Sequence, residues 1–84
     1  MKLYFYGDLE GIQEGINILS HNLKYDVAQD GICVNIKKRE GNIEVDYNGE
    51  CAEILFDQKI HFFRALSLLV EVLREGKACH ITEE

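Results

Sequence analysis

Proline and tryptophan are both absent from the 84 residues. Without proline, no stiff linker marks a domain boundary. A chain of this length supports one domain, residues 1–84, with a single modest core. Without tryptophan, the ring most used in sugar-stacking platforms is missing, which argues against an independent carbohydrate-binding module. Basic residues are also few: nine Lys and Arg stand against fifteen Asp and Glu, a formal net charge of −6. Nucleic-acid affinity draws heavily on a basic footprint, so no nucleic-acid partner is expected. The same sign disfavours anionic membrane surfaces. No apolar run approaches the roughly 18 residues of a membrane span. MKLYFYGD breaks at Gly7-Asp8 before an apolar stretch of signal-peptide length develops, so a cytoplasmic location without membrane contact is expected. Cysteine is scarce and unpatterned: Cys33, Cys51 and Cys79 form no C-x-x-C pair, and reduced thiols are expected.

What is present reads as ordinary globular composition, 46% hydrophobic and 29% charged. Lys2 to Tyr6 is aromatic-rich and stops at Gly-Asp, the mark of a short strand. Asp8 is placed to cap a helix whose apolar residues Leu9, Ile12, Ile16, Leu19 and Leu23 share one face. Gly11 and Gly15 weaken that helix by about 1 kcal/mol each, a cost offset by close approach to the surface beneath. Ile32–Ile36, Ile43–Tyr47 and Ala52–Phe56 alternate apolar with polar residues. Glu40-Gly41-Asn42 and Asn48-Gly49 separate them, and Asn-Gly favours a type I′ hairpin. The expected arrangement is an antiparallel meander. Asp57 then caps a second helix with an apolar stripe of Ile60, Phe63, Leu66, Leu69, Val70 and Leu73, closed by Gly76. Ala78 to Thr82 forms a last strand. The order β-α-β-β-β-α-β predicts an α+β fold: a two-layer α/β sandwich with a mostly antiparallel sheet and both helices on one face.

Sites of chemistry are hard to find. Zinc patterns need tight pairs, and Cys79-His80 are neighbours that point to opposite faces of a strand, so no metal and no cofactor are expected. In a meander, Cys33 and Cys51 are separated by a strand and lie about 9–10 Å apart, beyond the roughly 7 Å reach of a disulfide. His21, His61 and His80 have no adjacent cysteine with a supporting third group, so no catalytic residue is assigned. Glu44, Asp46, Glu50 and Glu53 cluster on the outer side of the hairpin, where a solubilising face explains them better than a glycosidase carboxylate pair in an open sheet. Tyr4, Tyr6 and Tyr47 alternate within strands, and core packing accounts for at least some of them.

The second helix is apolar on more than one side, since Phe62, Leu68 and Val72 fall beside its main stripe. A helix apolar nearly all round is buried on both sides, which implies a partner surface. The stretches FYGDLEGIQEGINILSHNL, DGICVNIKK and, above all, KIHFFRALSLLVEVLREGK followed by HITEE carry a resemblance over nearly the whole chain. The sequence resembles the non-catalytic N-terminal domain of bacterial family 20 glycoside hydrolases, the β-N-acetylhexosaminidases. That resemblance implies an antiparallel sheet covered on one side by two helices. It also implies a catalytic (β/α)8 barrel following in the same polypeptide. The barrel's Asp-Glu pair works by substrate assistance, the Asp orienting the 2-acetamido group and the Glu protonating the leaving oxygen. No position of this chain matches that pair.

On this reading the chain is an accessory domain that packs on and stabilises the barrel. The candidate interface residues are Phe62, Arg64, Leu68 and Val72. Arg64 either reaches an interface carboxylate with its forked donors or lies along the surface with its charge in water. The alternative is a free-standing protein–protein interaction module that forms a two-fold homodimer when isolated. A double-stranded-RNA-binding domain shares the inner α-β-β-β-α order, but its electrostatics carry the opposite sign.

Overall fold

The computed structural model describes residues 1–83 of the chain; Glu84, the last residue of the resembling HITEE stretch, lies outside them. The elements follow as β1 (Lys2–Gly7), α1 (Gln13–Leu23), β2 (Asp26–Val27), β3 (Ile32–Lys38), β4 (Ile43–Tyr47), β5 (Ala52–Phe56), α2 (Lys59–Glu75) and β6 (Cys79–Glu83). Two helices lie on one face of a single sheet in an α+β, two-layer arrangement, and their buried residues join those of the sheet's inner face in one cluster. The short β2 was not foreseen, because its two residues are too few to show a period.

Strand direction differs from the expectation. The sheet order is β2-β1-β3-β5-β4-β6. β1 pairs in parallel with β2 and β3, β3 pairs in parallel with β5, and only β4 runs antiparallel to its neighbours β5 and β6. The sheet is therefore mixed and mostly parallel. No meander forms, because β5 inserts between β3 and β4. Four connecting residues, Arg39 to Asn42, reach from β3 past one strand to β4. That gap is about 10 Å, and four extended residues span up to about 13 Å. The Arg39 amide donates to the Phe56 carbonyl (2.8 Å), fastening this crossing to the end of β5. The Asn48-Gly49 turn joins β4 to β5 as expected, but not as type I′. Gly49 alone has positive φ (98°), and the Asn48 side chain instead accepts from the amides of Glu50 and Cys51, both at 2.8 Å.

The helices show where local signals were displaced. α1 starts at Gln13 and its N-cap is Ile12, not Asp8. The Asp8 carboxylate instead accepts from the Lys38 amide (3.0 Å) at the end of β3. Ile12 and Ile16 are buried, and Leu9, Leu19 and Leu23 pack against the core, as the spacing predicts. Gln58 is the N-cap residue of α2. Asp57, one residue earlier, accepts from the Gln58 amide (2.7 Å) and meets His61 Nδ1 (2.6 Å), and the imidazole beside it holds its carboxyl below the usual range. Gly76 ends α2 in the left-handed conformation (φ 74°) as expected.

The buried face of α2 is rotated from the predicted stripe. Phe62 is 0% exposed and joins Leu66, Leu69 and Leu73 at the centre of the buried face, whereas Ile60 is 70% exposed. Two residues turn a helix by about 200°, so Ile60 and Phe62 belong to nearly opposite sides. Phe56 and Phe62 meet edge to face with ring centroids 5.2 Å apart. Gly15 allows α1 to lie against α2: a Cβ there would fall 2.1 Å from Phe63 Cε1. Gly11 has no such contact and instead holds a positive φ of 80°. Tyr25 is buried, packs on Phe5, and donates its hydroxyl to the Ile16 carbonyl in α1.

Four outcomes are expected from this packing. Leu66→Ala lowers stability by about 2–5 kcal/mol, read from chemical denaturation, because the fully buried side chain leaves a cavity. Gly15→Ala also lowers the denaturation midpoint, overpacking against Phe63 outweighing the gain of about 1 kcal/mol in helix propensity. Phe63→Leu then costs less in the Gly15→Ala background than in the wild type, a coupling that a double-mutant cycle measures. The fourth concerns Tyr25, whose phenol burial pushes from 10.0 up to about 12. The folded chain keeps this proton where the unfolded chain loses it. The stabilisation is fully present below pH 10 and is lost as pH rises through 12. The denaturation midpoint of Tyr25→Phe therefore declines less steeply across that window than that of the wild type.

Candidate functional site

Alternation along the strands divides the sheet into a covered face and an open one. Leu3, Phe5, Val34, Ile36, Val45, Ala52 and Ile54 point toward the helices and are buried. The opposite face carries no helix. There the register lines up Tyr6, Asn35, Glu53, Asp46 and His80 across five strands, in one row. A second row runs Lys37, Leu55, Glu44 and Thr82. Tyr4 lies beside Cys33 at the other end.

Two acids of this face, Glu53 and Glu44, are paired with cations. Lys37 Nζ lies 3.5 Å from Glu53 Oε2, and Asn35 Nδ2 donates to the same oxygen at 3.4 Å. Arg39 pairs with Glu44. His80 stands between Glu44 and Asp46, 3.6 Å from each. These pairs are largely exposed and contribute little stability individually. They offset part of the charge of the acidic cluster and cover Leu55, which is buried between Lys37 and Glu44 in the register although it points away from the helices. Among the described residues, no group of three or more His, Cys, Asp and Glu is arranged to hold a metal ion.

Tyr4 and Tyr6 keep 36% and 40% of their surface exposed, and their rings stack with centroids 5.9 Å apart. Tyr47 belongs to the core instead. Tyr6 borders an open concavity of about 240 Å³ with Asn35, Asp46, Asn48, Cys51 and Glu53. A second concavity, about 770 Å³, lies where β1 and β3 end and is lined by Gly7, Asp8, Leu9, Glu10 and Lys38. It sits where the chain order switches sides of β1, a common ligand position in parallel sheets. Here the Asp8 carboxylate is already engaged by the Lys38 amide.

The residues expected to form an interface on α2 are dispersed. Phe62 is fully buried and Val72 is 6% exposed, so both belong to this domain's own core and neither is available to a partner. Leu68 is half-buried against the same core. Arg64 is exposed, but its Nε donates to Glu83 Oε1 of β6 at 2.7 Å. Its carboxylate partner lies within the chain. The outer side of α2 is left with Lys59, Ile60, Arg64, Glu71 and Glu75, a mostly polar surface. The apolar surplus read from the helix is absorbed because α2 is the central helix, with the sheet beneath it and α1 against Phe63.

The open face was underrated for a definite reason. KLYFY shows two tyrosines on the face opposite Leu3 and Phe5, but strand order decides what surrounds them. The Cys33 and Cys51 separation also changes. The parallel pairing of Val34 with Ala52 makes β3 and β5 direct neighbours, so the preceding residues of the two strands, Cys33 and Cys51, stand side by side. Partial desolvation, interaction with the Cys33 thiol and the nearby Glu50 carboxylate push the Cys51 thiol above its ordinary range.

Among the described residues, no helix is long and apolar enough to cross a membrane. Compared with known proteins, the chain matches no protein-family model, no curated protein and no solved structure.

Proposed function

We propose that this chain is a non-catalytic accessory module of a larger glycoside hydrolase of the β-N-acetylhexosaminidase type, docking on the catalytic (β/α)8 barrel through the open face of its sheet. One observation carries the docking: a six-stranded sheet with both helices on one side, whose bare side presents the stacked Tyr4 and Tyr6 beside charges already paired with one another. Large amphipathic rings with few rotatable bonds suit such a contact, since they bury much area at low entropic cost. The identity of the partner is supported by the resembling stretches, strongest in KIHFFRALSLLVEVLREGK of α2. The mostly parallel sheet departs from the antiparallel one that the resemblance implies. The module supplies no catalytic group; it stabilises and positions the barrel. It works in the cytoplasm, in keeping with three free thiols.

The free outer edge of β6 favours a second reading, a homodimer. Five residues of edge strand leave unpaired backbone groups, and a second copy related by a two-fold axis would satisfy them by antiparallel pairing.

The intact mass of the polypeptide in its native source separates the two. A mass several-fold larger than that of the 84 residues is expected. The full-length protein then releases chromogenic N-acetylglucosaminide or N-acetylgalactosaminide, and the 84-residue piece does not. In that full-length protein, Tyr4→Ser with Tyr6→Ser lowers the thermal midpoint by several degrees, while turnover by the folded fraction changes less than two-fold. A native mass equal to that of the 84 residues removes the glycosidase reading. Concentration-dependent dimerisation in light scattering then supports the β6 edge.

A further inference from the structure

Cys33 and Cys51 are 18 positions apart in sequence but precede two residues paired in register on adjacent parallel strands. Neighbouring strands lie about 4.8 Å apart, within the 4.4–6.8 Å range of Cα separations across disulfides. Both side chains belong to the open face, Cys33 half-buried beside Tyr4 and Cys51 exposed in the β4–β5 loop. Cys79 is set apart. It pairs with Tyr47, whose side chain points to the helix side, so it lies on the other face of the sheet.

We propose that Cys33 and Cys51 form a reversible dithiol–disulfide site that exchanges with small-molecule disulfides. Exposed Cys51 is the point of entry, at the rim of the open concavity it shares with Tyr6, Asn35, Asp46 and Glu53. Its thiolate attacks one sulfur of the small disulfide. The S–S bond breaks, one small thiolate leaves and takes up a proton, and a mixed disulfide remains on Cys51. The Cys33 thiolate then attacks the Cys51 sulfur and expels the second small thiolate, which is also protonated. In sum, two protein thiols become one disulfide, and the small disulfide accepts two electrons and two protons to become two thiols. Glu50 and Asp46, which no Lys or Arg among the described residues pairs with, favour a cationic reagent over an anionic one at the entry point. Oxidation ties the start of β3 to the loop leading into β5, next to the tyrosines of the open face.

The site is tested on the intact 84-residue chain with cystamine, a cationic disulfide, at mildly alkaline pH. The expected product has lost two hydrogens and retains no cystamine adduct at Cys33 or Cys51. Trypsin cuts at Lys37, Lys38 and Arg39 between the two cysteines, so the product yields a crosslinked peptide pair that dithiothreitol separates. Cys79→Ser gives the same crosslink. Cys33→Ser keeps cystamine on Cys51 as a stable mixed disulfide. Separate stable adducts on Cys33 and Cys51 in the wild-type chain overturn the proposal. So does a crosslink that involves Cys79 or forms only in denaturant, or a failure of Cys51 to react.

Discussion

The structure depends on one apolar layer. Phe62, Leu66, Leu69 and Leu73 of α2 press on the inner face of the sheet, and Ile12 and Ile16 of α1 complete the same cluster. In a chain this short there is no second core to fall back on. The layer explains why α2 is apolar so far round its circumference: it sits centrally, with strands below and α1 at its flank. It also explains why Gly15 and not a larger residue faces Phe63, since a side chain there would force the helices apart. The burial that makes α2 the organising element takes Phe62 and Val72 out of reach of a partner.

A one-sided core leaves the other face of the sheet to be managed by polar chemistry. The pairs Lys37–Glu53 and Arg39–Glu44 spread charge of both signs across that face, and His80 stands between Glu44 and Asp46. They leave Asp46 and Glu50 as the acids of the cluster without a Lys or Arg partner among the described residues. The tyrosines of β1 are its main apolar content. The stacked tyrosines and the Cys33–Cys51 pair therefore lie on the same side of the sheet, away from the packing that maintains the fold.

Strand order, more than secondary structure, separates the sequence reading from the structure. Alternation in Ile32–Ile36, Ile43–Tyr47 and Ala52–Phe56 identifies three strands and their buried faces, and those faces are as expected. Alternation says nothing about which strand neighbours which. Sequential strands pair more often than not, so a meander is the economical expectation. Here β5 pairs with β3 in parallel, and that one exchange brings Cys33 beside Cys51 and moves β4 outward to meet β6. The stripe on α2 shows a second kind of ambiguity. With Ile60, Phe62 and Phe63 all apolar, several rotations of the helix bury similar area, and Phe56 and Leu66 select among them by fit.

Both helices, five of the six strands, the α+β class and the two-layer arrangement are legible in the chain, because they follow from local periodicity and from apolar residues that must be covered. Residue identity also sets the left-handed helix end at Gly76 and the place, though not the type, of the turn at Asn48-Gly49. The mixed, mostly parallel sheet, the burial of Phe62 and Val72, the pairing of Arg64 with Glu83 and the adjacency of the two thiols emerge from the folded packing alone. Each of these depends on residues distant in sequence competing for the same neighbour, and that competition is settled by packing, which local patterns do not encode.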